Sequence, residues 1–406
     1  MSRYIFSLLC ALFLCIPTLY ARHITLKVVN TDSQSRQQLV EVSLEKVYQL
    51  LDVPQGTALT VTNDSGLQQL SQLTHDGWLL IEVALKPRQH SIFTVVAAQP
   101  KPMRSYVGGA LYTSRKDDIA WENDHCAYRV YGPALQRTGE RSFGTDVWTK
   151  NTDRLVLDER YRIDDQGNQL EATLRQAGRK DAAQVVDQLT SFHLDHGNGM
   201  DCYAVGSSLG CGTPALMEGN ELVFPYCYKD FKILDNGPLR FTVALTYGPA
   251  KVGGDTAVIE HRVISLDKGS WFNRVTVWYE GLSQPRNIAA GVVLHDVGSI
   301  TIVDRAALYA DPTENPNGSN GQIFVGCLFP YGKVTLQALL PAHPKDGIMG
   351  HLLGIHKDLK NGERLTYYSG AGWSRGGMPT MAAWEEAAQA VLHAIDKPLR
   401  VVLRNE

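Results

Sequence analysis

A chain of 406 residues, 44% hydrophobic and 20% charged, is long enough to bury two hydrophobic cores and too apolar to stay disordered. Its 39 Lys and Arg against 42 Asp and Glu leave a formal net charge of −3. With no basic stripe accompanying aromatic residues, a nucleic-acid partner is excluded on electrostatic grounds.

The first element is a leader. Residues 1 to 21 carry Arg3, an apolar run from Tyr4 to Ile16, and a helix-breaking Pro17 before Ala21, which predicts a signal peptide and export to the periplasm or beyond. The run is too short to cross a bilayer comfortably and nothing later approaches one, so no membrane span is expected. Leu14 is a poor residue to precede a lipidated Cys15, which disfavours a lipoprotein anchor. Beyond the leader five cysteines remain, Cys126, Cys202, Cys211, Cys227 and Cys327. An odd number without a CxxC pair reads as buried thiols rather than a disulfide framework.

Residues 22 to 100 hold short alternating runs, among them "ITLKVVN", "LVEVSLEKV", "WLLIEVAL" and "SIFTVVAA", separated by turn-rich pieces. They predict a small β-sandwich. "AQPKPMRS" is a hinge into a larger unit over 104 to 406. Runs there, such as "DRLVLDERYRI", "QLTSFHLD", "LRFTVALTYG", "HRVISLD" and "NRVTVWYEGL", predict further strands. One helix stands out: "PTMAAWEEAAQAVLHAI" puts Met381, Trp384, Ala388 and Val391 near one stripe, and Pro398 stops it. The expected fold is therefore mainly β, a small N-terminal β-sandwich followed by a large antiparallel β super-sandwich with one C-terminal helix. No blade-length repeat supports a propeller.

Two stretches carry unusual polar faces. In "WENDHCAYRVYGPAL", residues 121 to 135, period two sets Cys126, Tyr128 and Val130 on one side and Asn123, His125, Arg129 and Tyr131 on the other. An amide, an imidazole and a guanidinium suit the floor of a sugar-binding cleft better than an ordinary solvent face. In "SFHLDHGNGMDCYAVGSSLGCG", residues 191 to 212, a strand would aim Phe192 and Leu194 inward and His193 and Asp195 outward. Five glycines between Gly197 and Gly212 then form a loop able to wrap a ligand around Asp201 and Tyr203. His261 with Ser265, and His295, project from other runs and converge with these only if the strands are neighbours. The spacing of His193 and His196 fits no zinc motif, so neither a metal nor another cofactor is expected. Before the helix, Trp373 is placed either to stack on a pyranose or to lie buried, and Arg375 either to clamp a carboxylate or to bond a carbonyl.

These pieces, with "GTDVWTK", "AAGVVLH" and the Trp-Ser-Arg-Gly-Gly-Met-Pro run, resemble the bacterial family called domain of unknown function 4861, over nearly the whole mature chain. The resemblance implies a galactose-mutarotase-like super-sandwich and an exported protein of polysaccharide-degrading bacteria. A branch of that family is known as ulvan lyases, acting on a uronate-containing polysaccharide. Positions inside the matching motifs are Asn123, Asp124, Arg129, His193, Asp201, Tyr203 and Arg375, whereas His125 and His196 depart from the family's pattern.

β-Elimination from a uronate needs the sugar carboxylate neutralised, the C5 proton removed and the leaving oxygen protonated. The expected roles are Arg129, with Asn123, on the carboxylate, His193 as base and Tyr203 as acid, or the last two exchanged; Asp124, His125, Asp201, His295, Trp373 and Arg375 complete the expected substrate contacts. The expected partner is an acidic polysaccharide or oligosaccharide. Alternatives on the same fold are a hydrolase with paired carboxylates drawn from Asp124, Asp146, Asp195 and Asp201, a non-catalytic sugar-binding protein, or an epimerase.

Overall fold

A computed structural model describes residues 22–312 and 318–405; the expected leader and part of the "NPNGSNG" loop lie outside the described residues. The chain is built mostly of antiparallel strands, as its alternating runs require. In the first strand, His23–Val29, every second residue is buried. It joins a four-stranded sheet with Leu59–Asn63, His90–Ala97 and, unexpectedly, Arg400–Asn405 from the far end of the chain. The strands Arg36–Ser43, Trp78–Leu85 and Ser71–Leu73 form the opposing layer. Leu26, Val28, Val40, Ile81 and Val95 fill the space between. The run "LVEVSLEKV" does not stay extended: Ser43 caps a helix, Leu44–Leu51, by accepting from the Lys46 amide.

A nine-stranded and a five-stranded antiparallel sheet make the larger body. Val243 and Val277 from one and Ile288 and Val292 from the other belong to a single core, the arrangement of two sheets packed face to face. The C-terminal helix, Met381–Asp396, is capped by Thr380 and buries Trp384, Ala388 and Leu392. That stripe covers Phe272, Phe324 and Leu328 on the outer face of the nine-stranded sheet. Among the described residues no helix is long and apolar enough to cross a membrane.

A separate four-stranded sheet positions the site. Its order is Asp146–Thr149, Cys126–Val130, Asp118–Glu122, Gly108–Tyr112. Trp121, Cys126, Tyr128 and Val130 face the main core, while Ala120, Ala127 and Trp148 face the other way under Leu157, Tyr161 and Phe192. Those last residues belong to segments expected to be strands and found otherwise. "DRLVLDERYRI" starts the helix Leu157–Gln176, and "QLT" ends a second helix, Lys180–Thr190. The longer helix buries Leu157, Arg160, Tyr161 and Asp164, an i, i+3, i+4, i+7 stripe that is half polar. Its N-terminus is capped from a distance: Glu122 accepts from the Val156 and Leu157 amides at 2.7 and 2.8 Å. Lys150 in turn donates to Glu122 and to the Asn123 carbonyl, so a buried ion pair and a helix terminus satisfy one another.

Candidate functional site

Arg129 occupies the centre of the outer face of this sheet. Strand alternation points it away from the core that holds Tyr128 and Val130, into a hollow of about 510 Å³. Three carboxylates surround it: Asp146 at 2.5 Å, Asp201 at 3.0 Å and Asp118 at 3.5 Å. The antiparallel registers explain two of them, since Asp146 lies directly opposite Arg129 on one neighbouring strand and Asp118 comes from the other. The rings of Tyr131 and Trp148 lie 4.9 and 5.0 Å from the guanidinium, adding cation–π attraction. Burial opposes the charge, but Asp146, Tyr131 and Asp201 hold the Arg129 pKa well above its usual value. One buried cation facing three acids cannot keep all of them ionised at no cost. Asp118 registers the imbalance: burial pushes its carboxyl up to about 6, against the pull of Arg129.

The segment 191–203 closes the hollow as a loop, which corrects the strand expected there. Two anchors shape it. Arg160 donates to Asn198, and Gly199 sits at φ +97° so close to Thr149 that a Cβ would lie 2.1 Å from that carbonyl oxygen. The Asp201 amide then donates to the Phe192 carbonyl at 2.9 Å, bringing His193 beside Asp201. His193 Nδ1 lies 3.1 Å from the Asp201 carbonyl oxygen and 3.6 Å from its carboxylate. A carbonyl only accepts, so Nδ1 carries a proton, and in the neutral imidazole the lone pair then lies on Nε2. With its side chain 52% exposed, the ring can meet a ligand.

Tyr203, from the same loop, lines the hollow but is almost wholly buried. Its hydroxyl has no hydrogen-bond partner among the described residues. Burial, reinforced by the Asp311 carboxylate, raises its pKa well above the ordinary phenol value, so the proton stays on oxygen. Behind it His295 meets the Tyr203 ring edge-on at 6.3 Å while its Nδ1 bonds Asp311 at 2.8 Å. The rim supplies the missing positive charge through Arg115, Lys116 and Arg141, set among Glu140 and Asp346.

Arg129, His193, Asp201 and Tyr203 are thus gathered in one hollow, and His295 touches it from behind Tyr203. The other expected contacts have different occupations. Asn123 is fully buried in the turn of the hairpin and not on a strand face; it donates to the Asp267 and Ser270 carbonyls at 2.7 Å and accepts from the His125 and Cys126 amides. No polar atom is left for a sugar. Asp124 accepts from the Gly269 amide at 2.7 Å, and His125 stacks on Trp271 at 4.1 Å, burial lowering its pKa. Trp373 is buried and donates to the Asn320 carbonyl at 2.7 Å, so its ring offers no face to a pyranose. Arg375 holds Asp195 at 2.6 Å, tying the site loop to the segment before the C-terminal helix. His261 stacks on Trp278 in its own sheet and does not line the hollow. Asp118, Arg115, Lys116 and Arg141 were missed by sequence reasoning. Asp118 alone left a trace, as an acid at the start of the run "DIAWE".

Among the described residues no group of three or more His, Cys, Asp or Glu is arranged to hold a metal ion. The three carboxylates at Arg129 point at a guanidinium, which occupies the place a cation would take.

Comparison with known proteins matches the chain, over residues 28–401, to the family described as Domain of unknown function (DUF4861). It is 27% identical over 340 residues to an uncharacterized protein, P7, of Formosa agariphila, covering 80% of this chain and 78% of that one. Among solved structures, an alpha-mannosidase from Enterococcus faecalis V583 aligns at a TM-score of 0.48 and 8% identity, covering 95% of this chain and 46% of that one. A protein in the glycosyl hydrolase family 38 from Enterococcus faecalis aligns at 0.49 and 8% identity, covering 95% and 48%. The chain spans about half the length of these two solved structures.

Proposed function

Starting from the fact that this chain belongs to the DUF4861 family, we propose that it is a lyase that cleaves a uronate-containing polysaccharide or oligosaccharide by β-elimination. The observation that carries the reading is the placement of His193, its Nδ1 held 3.1 Å from the Asp201 carbonyl oxygen, in a hollow also lined by Tyr203, whose buried hydroxyl has no hydrogen-bond partner among the described residues. A base with a bare nitrogen and an acid with an idle proton are the two groups the reaction needs.

In this mechanism His193 Nε2 removes the C5 proton of the uronate. The electron pair forms the C4–C5 double bond as the C4–O bond breaks, and Tyr203 Oη protonates the departing oxygen. The sugar carboxylate is neutralised at the rim by Arg115, Lys116 and Arg141. Arg129 takes a different role from the one expected of it. Engaged by three carboxylates, it has no charge to spare for a fourth, and it acts as a positioning residue that fixes Asp201 beneath His193. Export, proposed from residues 1 to 21, suits a polymeric substrate. The small unit, residues 22 to 100 joined by the strand Arg400–Asn405, is read as an accessory to the catalytic unit built from the rest of 104 to 406.

A second reading, glycoside hydrolysis, is favoured by one observation. Asp118, raised to about 6 by burial, and Asp201 flank the same guanidinium, giving one carboxyl suited to donate a proton and another to act as base or nucleophile. Incubation with ulvan, polygalacturonate and alginate separates the two. Lyase action produces the ultraviolet absorbance of an unsaturated uronate together with new reducing ends. New reducing ends without that absorbance establish hydrolysis instead, and neither signal from a folded protein overturns both.

A further inference from the structure

A second hollow, of about 470 Å³, adjoins the first and plays no part in the chemistry above. It is walled by aromatic rings, Phe224, Tyr226, Tyr228, Tyr247 and Tyr279, with Lys229 at an exposed position. The two hollows share structure in three places. Pro133 lines the aromatic one and Leu135, in the same helical turn Pro133–Gln136, lines the reactive one. Ser142 lines the reactive hollow, and the next residue, Phe143, stacks on Phe224 at 5.6 Å and meets Tyr226 at 6.4 Å. Tyr228 donates to the carbonyl of Asp117, between Lys116 and Asp118 of the reactive hollow.

We infer that this aromatic hollow is a subsite for sugar units flanking the one that reacts, with Tyr226 as its stacking platform and Phe143 as the ring that backs Tyr226 and Phe224; the inference rests on the saccharide reading of the neighbouring site. The chemistry of the walls selects the occupant. Pyranose rings present C–H faces that lie on aromatic rings and hydroxyl edges that need polar partners. Tyr226, 61% exposed, offers such a face at the mouth. Deeper in, the buried Glu260 carboxylate accepts from Tyr279 at 3.0 Å and pairs with Arg262, beside the Tyr247 ring. Both Glu260 oxygens are thereby satisfied within the protein, so the exposed Tyr226 face and Lys229, not this buried pair, select the occupant. Lys229 suits a glycan whose flanking units are also acidic. The wall segments shared with the reactive hollow make one extended chain, rather than a second ligand, the natural occupant.

The test compares oligosaccharide lengths. In a His193→Ala background, which prevents turnover, binding of ulvan-derived and polygalacturonate-derived disaccharides and tetrasaccharides is measured by calorimetry. The tetrasaccharide is expected to bind about five- to tenfold more tightly than the disaccharide, the scale of one aromatic stacking contact. Tyr226→Ala, and separately Phe143→Ala, are expected to erase that gain while leaving disaccharide affinity unchanged. Equal affinities for the two lengths, or a gain that survives both substitutions, overturns the subsite. Elimination activity with no Tyr226-dependent gain removes the subsite and leaves the proposed chemistry. A Tyr226-dependent gain without any elimination does the reverse. Burial of Tyr226 against a second copy of the chain, read as a dimer in solution that Tyr226→Ala dissociates, also overturns it.

Discussion

Among the buried arginines, Arg129 and Arg262 lie on strands of different sheets and live in opposite electrostatic circumstances. Arg262 has one carboxylate, Glu260, two residues along the same strand face; Glu260 Oε1 accepts from its Nε at 2.9 Å and Tyr279 donates to the second oxygen at 3.0 Å. The pair is balanced, and its presence is explained by mutual neutralisation. Arg129 faces three carboxylates delivered by three separate segments, and the surplus negative charge opens onto a hollow. A structural ion pair tends to close its own accounts locally. Where charge is left over and a cavity adjoins it, the surplus is available to hold and tune reacting groups.

The strongest way to sharpen that contrast is to delete the two cations in turn. Arg129→Met leaves three buried carboxylates without a counter-ion and is expected to destabilise by about 5 kcal/mol, the upper end for breaking a buried pair. Arg262→Met, which strands one, is expected nearer about 3 kcal/mol. Urea denaturation of both variants measures the difference, and equal losses would deny the asymmetry. Next come the two groups proposed to react. His193→Ala and Tyr203→Phe should each lower turnover by roughly 10²- to 10⁴-fold, the usual worth of a positioned acid or base. Because the Tyr203 hydroxyl has no partner among the described residues, its removal should leave the unfolding midpoint unchanged or slightly higher.

Asp118→Asn probes the surplus itself. The folded carboxyl titrates near 6 rather than at 3.8. Its stabilising contribution is therefore complete below about 3.8 and is lost as pH rises through about 6. The Asn variant should be about 3 kcal/mol more stable than the parent at neutral pH, with the advantage gone near pH 4. A variant no more stable at either pH would show that Asp118 is comfortable as an anion. The smallest effect belongs to the balanced pair: replacing Glu260 and Arg262 together by Met should change stability by no more than about 1 kcal/mol.

Period-two reading was reliable where a strand has one face in a core. It set Tyr128 and Val130 inward and Arg129 outward, and both assignments hold. It failed at "DRLVLDERYRI", because the buried stripe of that helix includes Arg160 and Asp164, whose charges hide the 3.6-residue period. It failed again at His193, where the loop is set by long-range anchors, Arg160 to Asn198 and Asp201 to Phe192, that leave no local mark. The partners of Arg129 were equally illegible. Asp118 and Asp146 become its neighbours only through strand register, and register depends on the whole sheet. Asn123 and Trp373 looked functional because polar and aromatic residues serve turns and cores with the same atoms they would offer a ligand.

The strand Arg400–Asn405 lies against His23–Val29, so the earlier of the two must wait during synthesis for residues made more than 370 positions later. Until the last strand arrives, the first has a bare edge, an invitation to pair with any other extended polypeptide nearby. Contacts this distant in the chain form slowly. The small sandwich is thus a clasp closed late, and a molecule truncated just before residue 400 would expose an adhesive border while keeping the hollow around Arg129 intact.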